Sequence, residues 1–110
     1  MERFIKGDVV VVPFPFSDLT RAKRRPAFVV HHFNGEDLLL AQITSKKVRD
    51  EYAIVLENND FNSGSLNKPS NIRPNKLFTC SRNIILYRVG SLKTKKVNEV
   101  IQTIHALLEQ

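Results

Sequence analysis

Apolar and polar positions change rhythm along this chain, and the changes divide it into short strands followed by one helix. "KGDVVVVPF" holds a turn signal at Gly7-Asp8 and then Val9 to Val12, a β-branched run that suits a strand. Pro13 and Pro15 end its ladder, because proline donates no backbone N–H. A polar loop from Ser17 to Arg24 follows, and "PAFVVHHF" reads as a second strand with Pro26 tolerated at its start. Asn34-Gly35-Glu36 is a hairpin signal leading into "DLLLAQIT", a third strand, and "YAIVLE" is a fourth. The Asn-, Ser- and Gly-rich stretch "NNDFNSGSLNKPSN" predicts a mobile surface loop, of a length that small domains keep for a purpose. "IRPNKLFT", interrupted by Pro74, and "IILYRVG" predict two further short strands. From Thr94 the period becomes helical: Val97, Val100, Ile101, Ile104, Leu107 and Leu108 form one apolar stripe. Thr94 is the expected N-cap. Lys95 and Lys96 oppose the helix dipole, so packing of the stripe on the sheet is expected to hold that end.

The elements predict a strand-rich α+β fold, a curved sheet or small barrel with a terminal helix, as one domain over residues 1–110. A chain of 110 residues suits one modest core. Its longest apolar runs, "VVVVPFPF" and "DLLLAQI", are too short to cross a bilayer, so no membrane partner is expected. Glu2 and the lack of an apolar leader argue against a secretory signal. Cys80 is the single cysteine, which excludes an intrachain disulfide and a cysteine zinc site and leaves a reducing, cytoplasmic location as the default. The net charge of +6 favours a polyanionic partner, and phosphate backbones are the commonest.

Candidate chemistry narrows quickly. His31 and His32 are neighbours in a strand and point to opposite faces, while His105 lies far away on the helix, so no metal site is expected. Cys80 has no nearby group to lower its pKa and reads as a buried, inert thiol. No phosphate-binding glycine loop, dinucleotide motif or nucleophile elbow occurs, and no cofactor is implied. What remains is "TRAKRRPAFVV", where Arg21, Lys23, Arg24 and Arg25 crowd against the start of a strand. Two readings stand. The four charges solvate a loop, or Arg25 is a fixed phosphate ligand and the other three supply a diffuse attractive field. On charge alone the first weighs more; the second draws on Pro26, which restrains the preceding residue to extended geometry, and on a guanidinium's ability to hold two phosphate oxygens at once.

"KGDVVVVPFPFSDLTRAKRRPAFVV" resembles the N-terminal signature of the MazF/PemK family of toxin endoribonucleases. "LLLAQITSKK" is similar to the family's next strand with its Ile-Thr-Ser step, and "LNKPSNIRPNKLFT" to a later Ser-x-x-Arg segment, followed by a "VGSL" turn and a closing helix. The resemblance implies a small SH3-like curved sheet or barrel of five to seven strands with a C-terminal helix, related to the gyrase poison CcdB. It also implies an mRNA interferase, the toxin of a type II toxin–antitoxin system, that cuts single-stranded RNA sequence-specifically without a metal. Its catalytic arginine maps onto Arg25 and its hydroxyl residue onto Thr44. Ser45 and Lys46 stand beside that hydroxyl, and Ser70 and Arg73 fall in the segment that lines the RNA path in the family. A homodimer and an acidic antitoxin are the implied partners. Phe14 and Phe16 either stack on bases or pack within the protein. Two other functions remain open: a binding module that holds nucleic acid or protein without cutting, and a gyrase poison. The helix end "HALLEQ" carries no terminal aromatic to suit the last.

Overall fold

Alternation of apolar residues builds the sheet and gives it two buried faces. In the computed structural model, which describes residues 3–14 and 23–110, β1 (Asp8–Phe14) pairs antiparallel with β2 (Lys23–His32), and β2 with β3 (Asp37–Thr44). The β2–β3 turn is the expected hairpin, with Gly35 at φ +89° and Phe33 N–H donating to the Asp37 carbonyl over 3.0 Å. Four more strands follow: β4 (Ile54–Leu56), β5 (Phe61–Gly64), β6 (Ser70–Ser81) and β7 (Tyr87–Leu92). Together they form one curled antiparallel sheet of seven strands in the order β4-β6-β3-β2-β1-β7-β5, and helix α1 (Thr94–Leu108) closes the chain. This is the expected fold class. The helix is not long and apolar enough to cross a membrane.

One face buries Phe28, Ala41, Ile43, Ile54, Leu56 and Ile72 beneath Val100 and Ile104 of α1. The alternate positions of the same strands, Val10, Val12, Ala27, Val29, Leu38 and Leu40, make a second cluster with Phe4 and Cys80 on the face away from the helix. Each such aliphatic contributes about 1.5–3 kcal/mol on burial, so the sheet's register is held from both sides.

Several local expectations change. "NNDFNSGSLNKPSN" is structured: Asn58–Asp60 forms a short 3-10 turn, Phe61 is buried in the helix-side core, and β5 pairs with β7. "VGSL" is not a turn but part of β7. The segment expected as an interrupted strand is the continuous twelve-residue β6. Pro74 is accommodated because the ladder breaks there: Arg73 faces Gln42 and Leu77 faces Ala41, so residues 74 to 76 need no partner on β3. The helix N-cap is Lys93 rather than Thr94, with no side-chain capping bond. Besides packing, ion pairs hold that end. The Lys96 ammonium lies 2.9 Å from Glu99 and 3.8 Å from Asp60, and it donates to the Val55 carbonyl over 3.0 Å.

Gly64 and Gly90 oppose each other across β5 and β7, and their backbones touch. A Cβ on Gly64 would lie 2.0 Å from the Val89 carbonyl oxygen, and one on Gly90 2.1 Å from that of Ser63. Gly35, also at positive φ, has nothing within 4 Å of its would-be Cβ. Gly90→Ala is therefore expected to lose about 1–3 kcal/mol in urea unfolding, and Gly64→Ala more, since strain at φ adds to the clash. Gly35→Ala is expected to lose about 1 kcal/mol or less. Equal losses at all three sites would contradict the close approach.

Candidate active site

The helix-free face turns polar at one end. Arg25 shares the parity of Ala27 and Val29 on β2, and Thr44 and Gln42 share that of Leu40 and Leu38 on β3. Ala27 pairs with Gln42, and two residues further along each strand stand Arg25 and Thr44. On its other side Arg25 is paired with Val12 of β1. Where the aliphatic rows end, a pocket of ≈ 200 Å³ opens, lined by Arg25, Gln42, Thr44, Lys46 and Arg73 with Phe14 and Phe78 as an aromatic wall. Val12, Pro26 and Ile43 complete the lining. Among the described residues the lining has three cations and no carboxylate or imidazole.

Within the pocket the polar groups are oriented. The Thr44 hydroxyl oxygen accepts from the Lys46 backbone N–H over 3.1 Å, which leaves its own proton to be donated elsewhere. The Phe14 and Phe78 rings meet at 5.7 Å with a 50° tilt. Arg73 donates through Nη2 to Asp50 over 2.9 Å.

Of the residues singled out from sequence, Arg25, Thr44, Lys46 and Arg73 meet in this pocket. Lys23 and Arg24 are exposed at the start of β2 and do not line it; alternation turns Arg24 to the opposite face. Ser45 is exposed beyond the end of β3 and does not line it either. Ser70, only 6% exposed, donates its hydroxyl to the Lys68 carbonyl over 3.0 Å and is outside the pocket lining. Arg21 and Phe16 lie outside the described residues. Gln42 was missed, although its spacing of two from Thr44 is enough to find it. Phe78 reaches the pocket only because of the irregularity at Pro74, which nothing in the local pattern announces.

The remaining reactive types have structural surroundings. His32 places Nδ1 2.9 Å from the Phe4 carbonyl oxygen and Nε2 3.2 Å from that of Gly35. His31 packs edge-on to Phe33 at 5.1 Å, and His105 lies 2.9 Å from Glu109 on the helix surface. Burial pushes the Cys80 thiol up to about 11, with the charge of Asp37 adding to it. Among the described residues no three His, Cys, Asp or Glu side chains come together as metal ligands.

The hydrogen bond from Arg73, with lesser help from Tyr52 N–H and Asn75, holds the Asp50 carboxyl below the ordinary value of 3.8 against the opposing effect of desolvation. A depressed folded-state pKa means the pair stabilises the fold above the unfolded aspartate value, about 3.9, and that this is lost as pH falls through the depressed one. An NMR titration of the Asp50 carboxyl is expected to show a midpoint below 3.8 in the wild type, rising in Arg73→Ala. Identical midpoints in the two proteins would contradict the pairing.

Comparison with known proteins bears on the family and the fold. Residues 5–108 match the family model of the PemK-like, MazF-like toxin of type II toxin–antitoxin systems. No curated protein matches the chain. Among solved structures, MazF from Deinococcus radiodurans is 17% identical over 100% of both chains, with a TM-score of 0.76. An endoribonuclease from a mycobacterial species, solved in complex with its cognate antitoxin, is 12% identical over 99% of this chain and 96% of its own, with a TM-score of 0.74. The Mycobacterium tuberculosis toxin MazF-mt6 is 14% identical over 93% of this chain and 96% of its own, with a TM-score of 0.70. At these identities the likeness is one of fold, and membership rests on the family model, which spans nearly the whole sequence. The chain belongs to the PemK-like, MazF-like toxin family of type II toxin–antitoxin systems.

Proposed function

We propose that this toxin is a metal-independent, sequence-specific endoribonuclease that cleaves single-stranded RNA to 2′,3′-cyclic phosphate and 5′-OH ends. The observation that carries the reading is the meeting of Arg25 and Thr44 in one pocket with Lys46 and Arg73. The 2′-OH attacks the adjacent phosphate, and negative charge builds on the phosphorane before the 5′-oxygen leaves. Arg25 is set to take that charge through two N–H bonds, because its backbone is held between β1 and the proline that follows. Thr44 supplies a further O–H donor, its oxygen already engaged by Lys46 N–H. Lys46 and Arg73 hold neighbouring phosphates, and Lys23, Arg24 and Arg21 add the outer field that draws RNA in. Phe14 and Phe78 offer an apolar wall to a base, and Gln42 offers an amide edge.

In this reading the enzyme works in the cytoplasm as a homodimer and is silenced by an acidic antitoxin that covers the cationic pocket. The net charge of +6 supports such a partner, as does the relative solved with its cognate antitoxin. With mixed-sequence single-stranded RNA in EDTA, the wild type is expected to release fragments ending in cyclic phosphate. Arg25→Ala is expected to cut roughly 10²–10³-fold more slowly, the usual loss for one transition-state donor. Thr44→Val, which keeps the shape and removes the hydroxyl, is expected to fall in the same direction. RNA that the wild type binds but leaves intact would make the protein a binding module instead.

A further inference from the structure

Asp50 lies between β3 and β4 outside the pocket lining, yet it is tied to it. Its Oδ1 accepts from the backbone N–H groups of Tyr52 and Ala53 at 3.0 and 3.2 Å. That turn fixes the carboxylate's direction and aims Oδ2 at β6, where it accepts from Arg73 Nη2 at 2.9 Å and from Asn75 Nδ2 at 3.3 Å. Arg73 needs such a hold. It is the last residue of β6 paired with β3 before the ladder breaks at Pro74. Its Nε is buried with no hydrogen-bond partner, so Asp50 is the only polar anchor its guanidinium has among the described residues. The pair is still about a quarter exposed, which leaves the outer edge of the guanidinium to a ligand.

We propose that Asp50 is a positioning residue of the RNA site: it grips one terminal nitrogen of Arg73 so that the rest of that guanidinium meets a phosphate beside the one held by Arg25 and Thr44. The proposal rests on the ribonuclease reading above. It has a sign that electrostatics alone would reverse. A carboxylate near the RNA path repels phosphate, so simple charge removal tightens binding. Loss of the grip on Arg73 weakens it.

Asp50→Asn separates the two. The amide oxygen keeps the bonds from Tyr52 and Ala53, as asparagine does in such turns. The NH₂ group then meets the donors of Arg73 and Asn75, donor against donor.

The probe is a fluorescent mixed-sequence pool of 2′-O-methyl RNA, which has no attacking hydroxyl and reports binding alone. Asp50→Asn is expected to weaken binding by about tenfold, the order of one charge-assisted hydrogen bond. In cleavage of unmodified RNA it is expected to raise KM while kcat stays within about twofold. In an Arg73→Ala background the same change is expected to do nothing further, because Asp50 acts through Arg73. Binding as tight as wild type or tighter overturns the proposal. So does an equal loss in the Arg73→Ala background, which would mean that Asp50 only supports its turn or the fold. Wild type that fails to bind the pool overturns this proposal, and the ribonuclease reading falls with it when unmodified RNA is also left uncut. Wild type that binds the pool but cuts nothing sinks only the ribonuclease reading, and the expected binding series then upholds Asp50's role at an RNA site.

Discussion

Arg25 is placed by the register of three strands. Val12 opposite Arg25 and Ala27 opposite Gln42 decide which way each side chain on β2 points. A slip of one residue would drive Arg25 into the layer of Phe28, Ile43 and Ile72 under the helix, and would turn those side chains outward. Each of those side chains is worth about 1.5–3 kcal/mol of burial, whereas a surface ion pair is worth about 1 kcal/mol or less. The hydrophobic alternation therefore wins, and the cation goes where the aliphatic rows send it. That is why positive charge stands directly against the start of a buried strand.

The two faces of the sheet divide the labour. Helix α1 covers one, with Val100 and Ile104 buried in the same cluster as Phe28, Ile43 and Ile72. The other carries Val10, Val12, Ala27, Val29, Leu38 and Leu40 as a second core, and the pocket begins where that core stops. Placing donors at the edge of packed strands makes them rigid, and the apolar residues Val12, Phe14 and Phe78 in the lining strengthen their hold on charge. Lys46 contributes twice, its backbone N–H orienting Thr44 and the residue itself lining the pocket.

Much of this was legible in the residues, for physical reasons that also explain what was not. Period-two and helical patterns located six of the strands and α1, because those patterns are the burial. β5 was hidden in a stretch of Asn, Ser and Gly. What makes it a strand is the burial of Phe61 and the contact of Gly64 with Gly90, and both are long-range events. The break in the ladder at Pro74 brings Phe78 to the pocket, and a local pattern carries no trace of a register shift. Asp50 likewise gave no signal, since its meaning comes wholly from Arg73 across the sheet. Ser70 shows the converse. It stands in a stretch that resembles the family's RNA path, yet its hydroxyl is turned to the backbone.

The central claim is that Arg25 and Thr44 hold one and the same phosphate. A crystal structure with a single-stranded RNA carrying a 2′-deoxy sugar at the cleaved position tests it most directly. The account predicts non-bridging oxygens of the scissile phosphate within hydrogen-bond distance of both the Arg25 guanidinium and the Thr44 hydroxyl. RNA bound elsewhere on the protein, or Arg25 and Thr44 on different phosphates, would contradict it.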